Sequence, residues 1–335
     1  MRLLVLGGTR FLGRHGVTAG LDRGYEVATF TRGVSGEPPE GVRALHGDRD
    51  DPDTLPAALD GWAPDIVVDT SGQTRAVARN AAAIFSGAGG HVLQGYAFVS
   101  SLNAYANWPP GPIGQEDDEP TWQTDDDDYG PNKAYSERIL GDAIGHGFLS
   151  ARAGLIIGPY DNLYRLGWWL DRIAAGGRIV VPAEGLDQPM AFVDARDLAG
   201  WLVAMAAHGQ TGAVNATGPA GMTTFRGLLE LCREVTGGDA EWVPVAEADL
   251  LAAGVQPWQH LPFWLPAELG GTEWDVDTTR ARELGLPSRP LRDSIAGTWE
   301  WQRGSERPEV PAGRTLPGLP ADLERQVLAG PQDGA

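Results

Sequence analysis

The chain has 335 residues, 42% of them hydrophobic, enough for one large domain or two closely associated ones. A formal net charge of −19 and a pI near 4.6 oppose association with phosphate backbones and anionic membrane surfaces, and no basic run offsets that charge. Neither a nucleic-acid partner nor a membrane is expected.

Taken in chain order, the first half alternates strand and helix patterns. "RLLVLGG" reads as the first strand and "GRHGVTAGLDRG" as the helix after it. "YEVATFTR" and "VRALHGD" are the second and third strands, with a short helical stretch at "DTLPAAL". "DIVVDTSG" is a fourth strand, followed by the helix "TRAVARNAAAIFSG", and "YAFVSS" is a fifth. A Pro- and Asp-rich loop leads to a helix starting near Tyr129, and "FLSARAGLIIG" reads as a sixth strand. Near-continuous apolar strands alternating with helices predict an α/β fold: a doubly wound parallel sheet of Rossmann type, covered on both faces.

The second half is less regular. "LYRLGWWLDRIAAGG" and "ARDLAGWLVAMAAHG" read as helices, "RIVVPAEG" and "QPMAFVD" as short strands. "GAVNATG" is expected to return to the first sheet. A helical region containing Trp242, Trp258, Trp264 and Trp274 follows. The expected organisation is a dinucleotide-binding domain over 1–160 with returning segments near 186–220. A smaller, mixed, mainly substrate-binding domain covers 161–302, and a loosely packed tail covers 303–335.

One cysteine, Cys232, excludes an internal disulfide and reads as a buried apolar residue. The six histidines are scattered without ligand spacing, so no metal site is expected. No secretory signal and no apolar span of about 18 residues is present, which points to a soluble, cytoplasmic protein.

The turn "GGTRFLG" sits between the first strand and the first helix, where glycines permit close approach to a pyrophosphate. Gly7 and Gly13 bracket it, and Thr9, Arg10, Phe11 and Leu12 are expected to border the cofactor. Arg10 stands where a middle glycine would be, and Arg32 ends the second strand, where an NAD-selective site places an acid. Two guanidiniums suit a 2′-phosphate, so NADP(H) is preferred over NAD(H). Asp48 and Arg49 are expected near an adenine ring, and Thr70, Ser71 and Gly72 at the carboxyl edge of the sheet.

Lys133 is the only lysine; every other basic side chain of the Lys/Arg type is arginine. It follows Tyr129 by four residues, which on a helix puts both on one face. An ammonium there favours the phenolate and makes the tyrosine a usable acid/base. Glu137, four residues further on, is expected to form a surface pair on the same helix.

In this order, "GGTRFLG", "FVSSLNAY" and "YGPNKAYSE" resemble the short-chain dehydrogenase/reductase superfamily. "RAGLIIGPYDN", "FVDARDLA" and "VNATG" are similar to later blocks of its extended branch, the NAD-dependent epimerase/dehydratase family. The likeness covers roughly residues 1–220. It implies Tyr129 as general acid/base, Lys133 as its tuner and ribose ligand, and Ser101, four residues before Tyr105, as the partner of the reacting oxygen. Ser100 is the fallback and is also expected at the cofactor. The Arg at position 10 departs from the usual glycine motif. Leu102-Asn103 stands where sugar-nucleotide dehydratases carry Asp-Glu, so dehydration is not expected.

The resemblance therefore implies an NAD(P)-dependent oxidoreductase acting on a carbonyl or secondary alcohol. A nucleotide-sugar epimerase with retained NAD is the alternative, and it would need a diphosphate site for which Arg165, Arg172 and Arg178 are candidates. A non-catalytic sensor or RNA-associated relative is disfavoured by the complete triad and the acidity. Tyr160 and Asn162 are expected to border substrate. Trp108, Trp122, Trp168 and Trp169 lie on segments that could flank the crevice but read mostly as core or lid packing; if some line the pocket, the substrate is apolar or aromatic rather than a charged sugar nucleotide. A small-molecule substrate is the expected partner, with a homodimer as the assembly suggested by analogy.

Overall fold

A computed structural model describes residues 1–34, 36–87, 92–269, 271–306 and 315–330. Its strands in chain order are β1 (Arg2–Leu6), β2 (Glu26–Thr31), β3 (Arg43–His46), β4 (Ile66–Asp69), β5 (Gly95–Ser101), β6 (Phe148–Ala153), β7 (Leu155–Ile157), β8 (Gly177–Pro182), β9 (Pro189–Met190), β10 (Phe192–Asp194), β11 (Gly212–Ala216), β12 (Thr223–Thr224) and β13 (Ala240–Val245). The helices that matter most here are α1 (Phe11–Asp22), α2 (Thr54–Leu59), α3 (Arg75–Phe85), α4 (Tyr129–Ile144), α5 (Arg165–Ala174), α6 (Ala195–Ala207) and α7 (Phe225–Thr236). Four more follow: α8 (Glu247–Ala252), α9 (Thr279–Glu283), α10 (Leu291–Arg303) and α11 (Ala321–Ala329).

Seven strands form one sheet in the order β11-β6-β5-β4-β1-β2-β3, and every neighbouring pair is parallel. This is the Rossmann-type α/β architecture that the strand–helix alternation predicts. Side chains alternate across β1: Leu3 and Val5 join the apolar layer shared with α1 and α6. Leu4 and Leu6 enter the layer on the other face, with Leu140 of α4. All four are fully buried, each contributing about 1.5–3 kcal/mol. β1 lies next to β4, and the strand order reverses there. Open α/β sheets carry their ligand crevice at such a switch point, beyond the carboxyl ends of the strands.

A third apolar cluster, around Trp169, Leu170, Val180, Phe225 and Leu229, belongs to the C-terminal half. There β8 pairs in parallel with β13. Threonine caps start two of the long helices: Thr74 accepts from Val77 N at α3, and Thr224 accepts from Gly227 N at α7.

Two expectations need correction. "FLSARAGLIIG" is not one strand. β6 stays in the main sheet, whereas β7 pairs with β10 instead. The break falls at Gly154, whose backbone lies so close to Thr217 that a Cβ there would meet its Oγ1 at 2.3 Å. The tail from Arg303, expected to pack loosely, includes α11, which lies against β8. Its Glu324 is 7% exposed and accepts from Arg172 Nε at 2.9 Å. Among the described residues no helix is long and apolar enough to cross a membrane.

Candidate active site

A single cavity of about 930 Å3 runs along the carboxyl ends of the central strands. Its floor at one end is the turn between β1 and α1. Gly13 packs so tightly there that a Cβ would sit 2.0 Å from the Gly7 carbonyl oxygen and 2.9 Å from Thr70 Oγ1. Only a glycine leaves the backbone this open to a bulky anion at a helix N-terminus. Thr9, Arg10, Phe11 and Leu12 line the same end, with Arg32 from the end of β2 and Asp48 after β3. Neither the Arg10 nor the Arg32 guanidinium has a hydrogen-bond or ion-pair partner among the described residues. A glycine cradle flanked by two uncommitted cations fits a dinucleotide.

Arg49 also serves the structure. It lines the cavity, but it donates to both oxygens of Asp69, at 2.6 and 2.8 Å, and to Ser71 Oγ at 2.9 Å. Asp69 also accepts from the Tyr96 hydroxyl at 2.7 Å and from Ser71 N at 3.0 Å. Burial alone would raise the Asp69 carboxyl. Arg49 outweighs it, with the Tyr96 and Ser71 bonds adding, and holds the group below its ordinary range. Burial, with Asp69 beside it, pushes the Tyr96 phenol well above its ordinary value. This buried trio braces the carboxyl end of β4 beneath the cofactor end. Thr70 lines the cavity too and donates from Oγ1 to Leu6 O at 3.0 Å.

The catalytic candidates meet in the middle of the cavity. β5 ends at Ser100 and Ser101, and α4 begins at Tyr129; all three line it, together with Lys133. Pro131 falls in the first turn of α4, where its missing N–H has no partner to lose. Tyr129 is 52% exposed, and the Lys133 ammonium lies 5.7 Å from its ring centroid. Lys133 itself is 4% exposed. Its Nζ donates to Gly72 O and Val99 O, each at 2.8 Å, and sits 4.8 Å over the Phe98 ring. Two of three ammonium protons are thus committed to backbone, and one remains for a ligand. Burial pulls its pKa down from 10.5 to about 8, with Arg49 adding and Asp69 and Glu137 opposing. Gly72 therefore enters the site through its carbonyl and does not line the cavity. Glu137 does not form the expected surface pair with Lys133. It accepts from Arg152 instead, at 2.7 Å.

Ser101 Oγ accepts from Asn103 N and Asn103 Nδ2, each at 3.2 Å. A hydroxyl that accepts twice still has its own proton to donate. Ser100 Oγ is buried with no hydrogen-bond partner among the described residues. Both serines retain capacity for a ligand.

The far end of the cavity holds the substrate candidates. Asn162 lines it, as expected. Tyr160 does not. It faces a smaller pocket of about 270 Å3 with Arg14 and Trp301, the Arg14 guanidinium 4.6 Å from its ring centroid. Of the four tryptophans on segments that could flank the crevice, only Trp108 borders the cavity. Trp169 is core, Trp168 packs against that core, and the Trp122 indole donates to Asn103 O at 3.0 Å. Trp258, Leu265 and Trp274 line the cavity from the second half. The tryptophan density of that region was the available signal. Its facing direction depends on long-range packing that a local pattern does not carry. Arg165 also lines this end, whereas Arg172 is committed to Glu324. Among the described residues no group of three or more His, Cys, Asp or Glu could hold a metal ion.

Comparison with known proteins follows the same lines. Residues 3–217 match the sequence profile of the NAD dependent epimerase/dehydratase family. The chain is 28% identical over 199 residues to the chloroplast stem-loop binding protein of 41 kDa b from Arabidopsis thaliana. That match covers 55% of this chain, and the chain spans about half (50%) of that relative's length. The fold is similar to UDP-glucose 4-epimerase of Thermus thermophilus, solved with NAD (TM-score 0.69, 21% identity, 91% of this chain and 100% of that one). It is also similar to WbmG of Bordetella bronchiseptica, solved with NAD and UDP (TM-score 0.71, 20% identity, 95% and 99% covered).

Proposed function

The chain belongs to the NAD dependent epimerase/dehydratase family, and from that premise we propose that it is an NADP(H)-dependent oxidoreductase acting on a carbonyl or secondary alcohol. The observation that carries this reading is the convergence of Ser101, Tyr129 and Lys133 on the cavity that begins at the glycine cradle. A nicotinamide dinucleotide bound there would supply or accept the hydride. Arg10 and Arg32, which have no partner among the described residues, would hold a 2′-phosphate. Lys133 would donate a hydrogen bond from its third N–H to a ribose hydroxyl and keep its charge beside Tyr129. Tyr129 would move the proton at the reacting oxygen, and Ser101 would orient that oxygen by donating to it. Residues of 161–302 would supply the substrate walls, through Asn162, Arg165, Trp258 and Trp274.

The test is Tyr129→Phe. Turnover should fall at least 100-fold, while NADPH affinity by fluorescence titration stays within about twofold. Retained activity in this variant removes the acid/base assignment.

A nucleotide-sugar epimerase with retained NAD is the second reading, supported by the fold likeness to epimerases solved with NAD. Purified protein that carries tightly held NAD and does not oxidise added NADPH would favour it. The stem-loop binding named for the Arabidopsis relative fits poorly with a net charge of −19.

A further inference from the structure

Resting on the oxidoreductase reading, we propose that the substrate is an aromatic or flat apolar carbonyl compound bearing one anionic group, a carboxylate, and that Arg165 receives that group. Arg165 is the first residue of α5 and lines the substrate end of the cavity. Its Nε is buried without a hydrogen-bond partner, and no ion pair or hydrogen bond among the described residues engages its other nitrogens. The guanidinium lies 5.5 Å from the Trp258 ring centroid and 5.7 Å from that of Phe263. These aromatic contacts satisfy none of its five N–H groups. A guanidinium left in this state at a cavity wall is short of an acceptor, and a carboxylate matches it two bonds at a time.

Asp161 does not fill that need. Its Oδ1 accepts from Leu163 N at 2.8 Å, its Oδ2 has no partner, and no ion pair joins it to Arg165. Burial pushes the Asp161 carboxyl up toward its neutral form, against the pull of Arg165. Tyr129 lies within electrostatic range of Arg165, and both line the same cavity.

The charge count sets the class. Arg10 and Arg32 stand at the cradle end, Arg49 is bound to Asp69, and Lys133 is bound to two carbonyls. Arg172 is held by Glu324, and Arg178 does not line the cavity. Among the described residues one uncommitted cation remains at the substrate end. Trp108, Pro109, Trp258, Leu265 and Trp274 line the same cavity, with Trp258 against the guanidinium. One charge in an indole-lined slot suits a carboxylate on an apolar body better than a diphosphate.

The experiment measures binding to the protein–NADP+ complex by calorimetry, with 4-acetylbenzoate, its methyl ester and UDP as probes. The acid should bind wild-type protein about 10- to 100-fold more tightly than the ester. In Arg165→Gln that gap should shrink to about threefold or less, and Arg165→Lys should restore part of it, with thermal melts confirming that both variants fold. Equal binding of acid and ester to wild type overturns the proposal. So does Arg165-dependent binding of UDP where neither aromatic probe binds. Failure of NADP+ to bind wild-type protein counts against the oxidoreductase reading instead. The acid–ester comparison without cofactor then tests Arg165 by itself.

Discussion

Replacing Lys133 with methionine separates what this residue costs the fold from what it contributes to it. The ammonium is buried, and its pKa falls from 10.5 to about 8. That depression corresponds to about 3 kcal/mol of disfavoured charge at neutral pH. Because the folded-state value lies below the unfolded one, the unfolded chain holds the proton more tightly between about pH 8 and 10.5. Stability contributed by this group therefore rises with pH across that window, and the full cost is present below it. Methionine removes the titration but leaves Gly72 O and Val99 O without their donor, at roughly 1–3 kcal/mol each. Near pH 7 the two effects oppose each other, so the variant should be close to wild type in stability. At pH 9.5 most wild-type molecules carry a neutral amine that still donates to both carbonyls. Wild type should then gain about 2 kcal/mol on the variant relative to pH 7. Guanidinium unfolding of both proteins at several pH values reads this directly, because all other titrations cancel in the difference. A difference that stays flat from pH 7 to 9.5 would refute the claim that burial lowers the Lys133 pKa in the folded protein.

Arg32→Ala should weaken NADPH by about 10- to 100-fold and NADH by less than about threefold in fluorescence titrations; equal losses would remove the 2′-phosphate assignment. Gly13→Ala would drive a methyl group against the Gly7 carbonyl, so dinucleotide affinity should drop more than about tenfold and stability by roughly 1–3 kcal/mol or more. Calorimetric binding together with a thermal melt checks both. Asp69→Asn breaks the buried pair with Arg49 and should cost about 3–5 kcal/mol in denaturant unfolding, whatever ligand is present. A loss under 1 kcal/mol would show that the pair does not brace β4.

The parallel sheet was legible because strands buried on both faces leave near-continuous apolar runs and amphipathic helices leave a helical period, both of them local. The Tyr129–Lys133 pair and the glycine turn were legible for the same reason: their geometry is set within one or two helical turns. Contacts across long separations were not. Gly154 gives no local sign that Thr217 will press against it and end β6. Nothing local to Arg49 shows that the fold will bring Asp69, 20 residues away, into bidentate contact with it. Tyr160 sits two residues from Asn162, yet Asn162 borders both pockets and Tyr160 only the smaller one. Trp258 and Trp274 lie more than a hundred residues past Tyr129, and only tertiary packing brings them to the same cavity. α11 was missed because its amphipathic pattern is short and follows a Pro- and Gly-rich stretch.

The sole lysine being buried at the cavity beside Tyr129 makes the molecule its own spectroscopic experiment. Growing cells on isotopically enriched lysine would mark one side chain in 335 residues, so magnetic resonance would report the ionisation and ligation of that amine without assignment of anything else. Amine-directed dyes and crosslinkers, for their part, would find the chain's α-amino group far more readily than Nζ of residue 133, giving singly tethered protein whose cavity is left untouched.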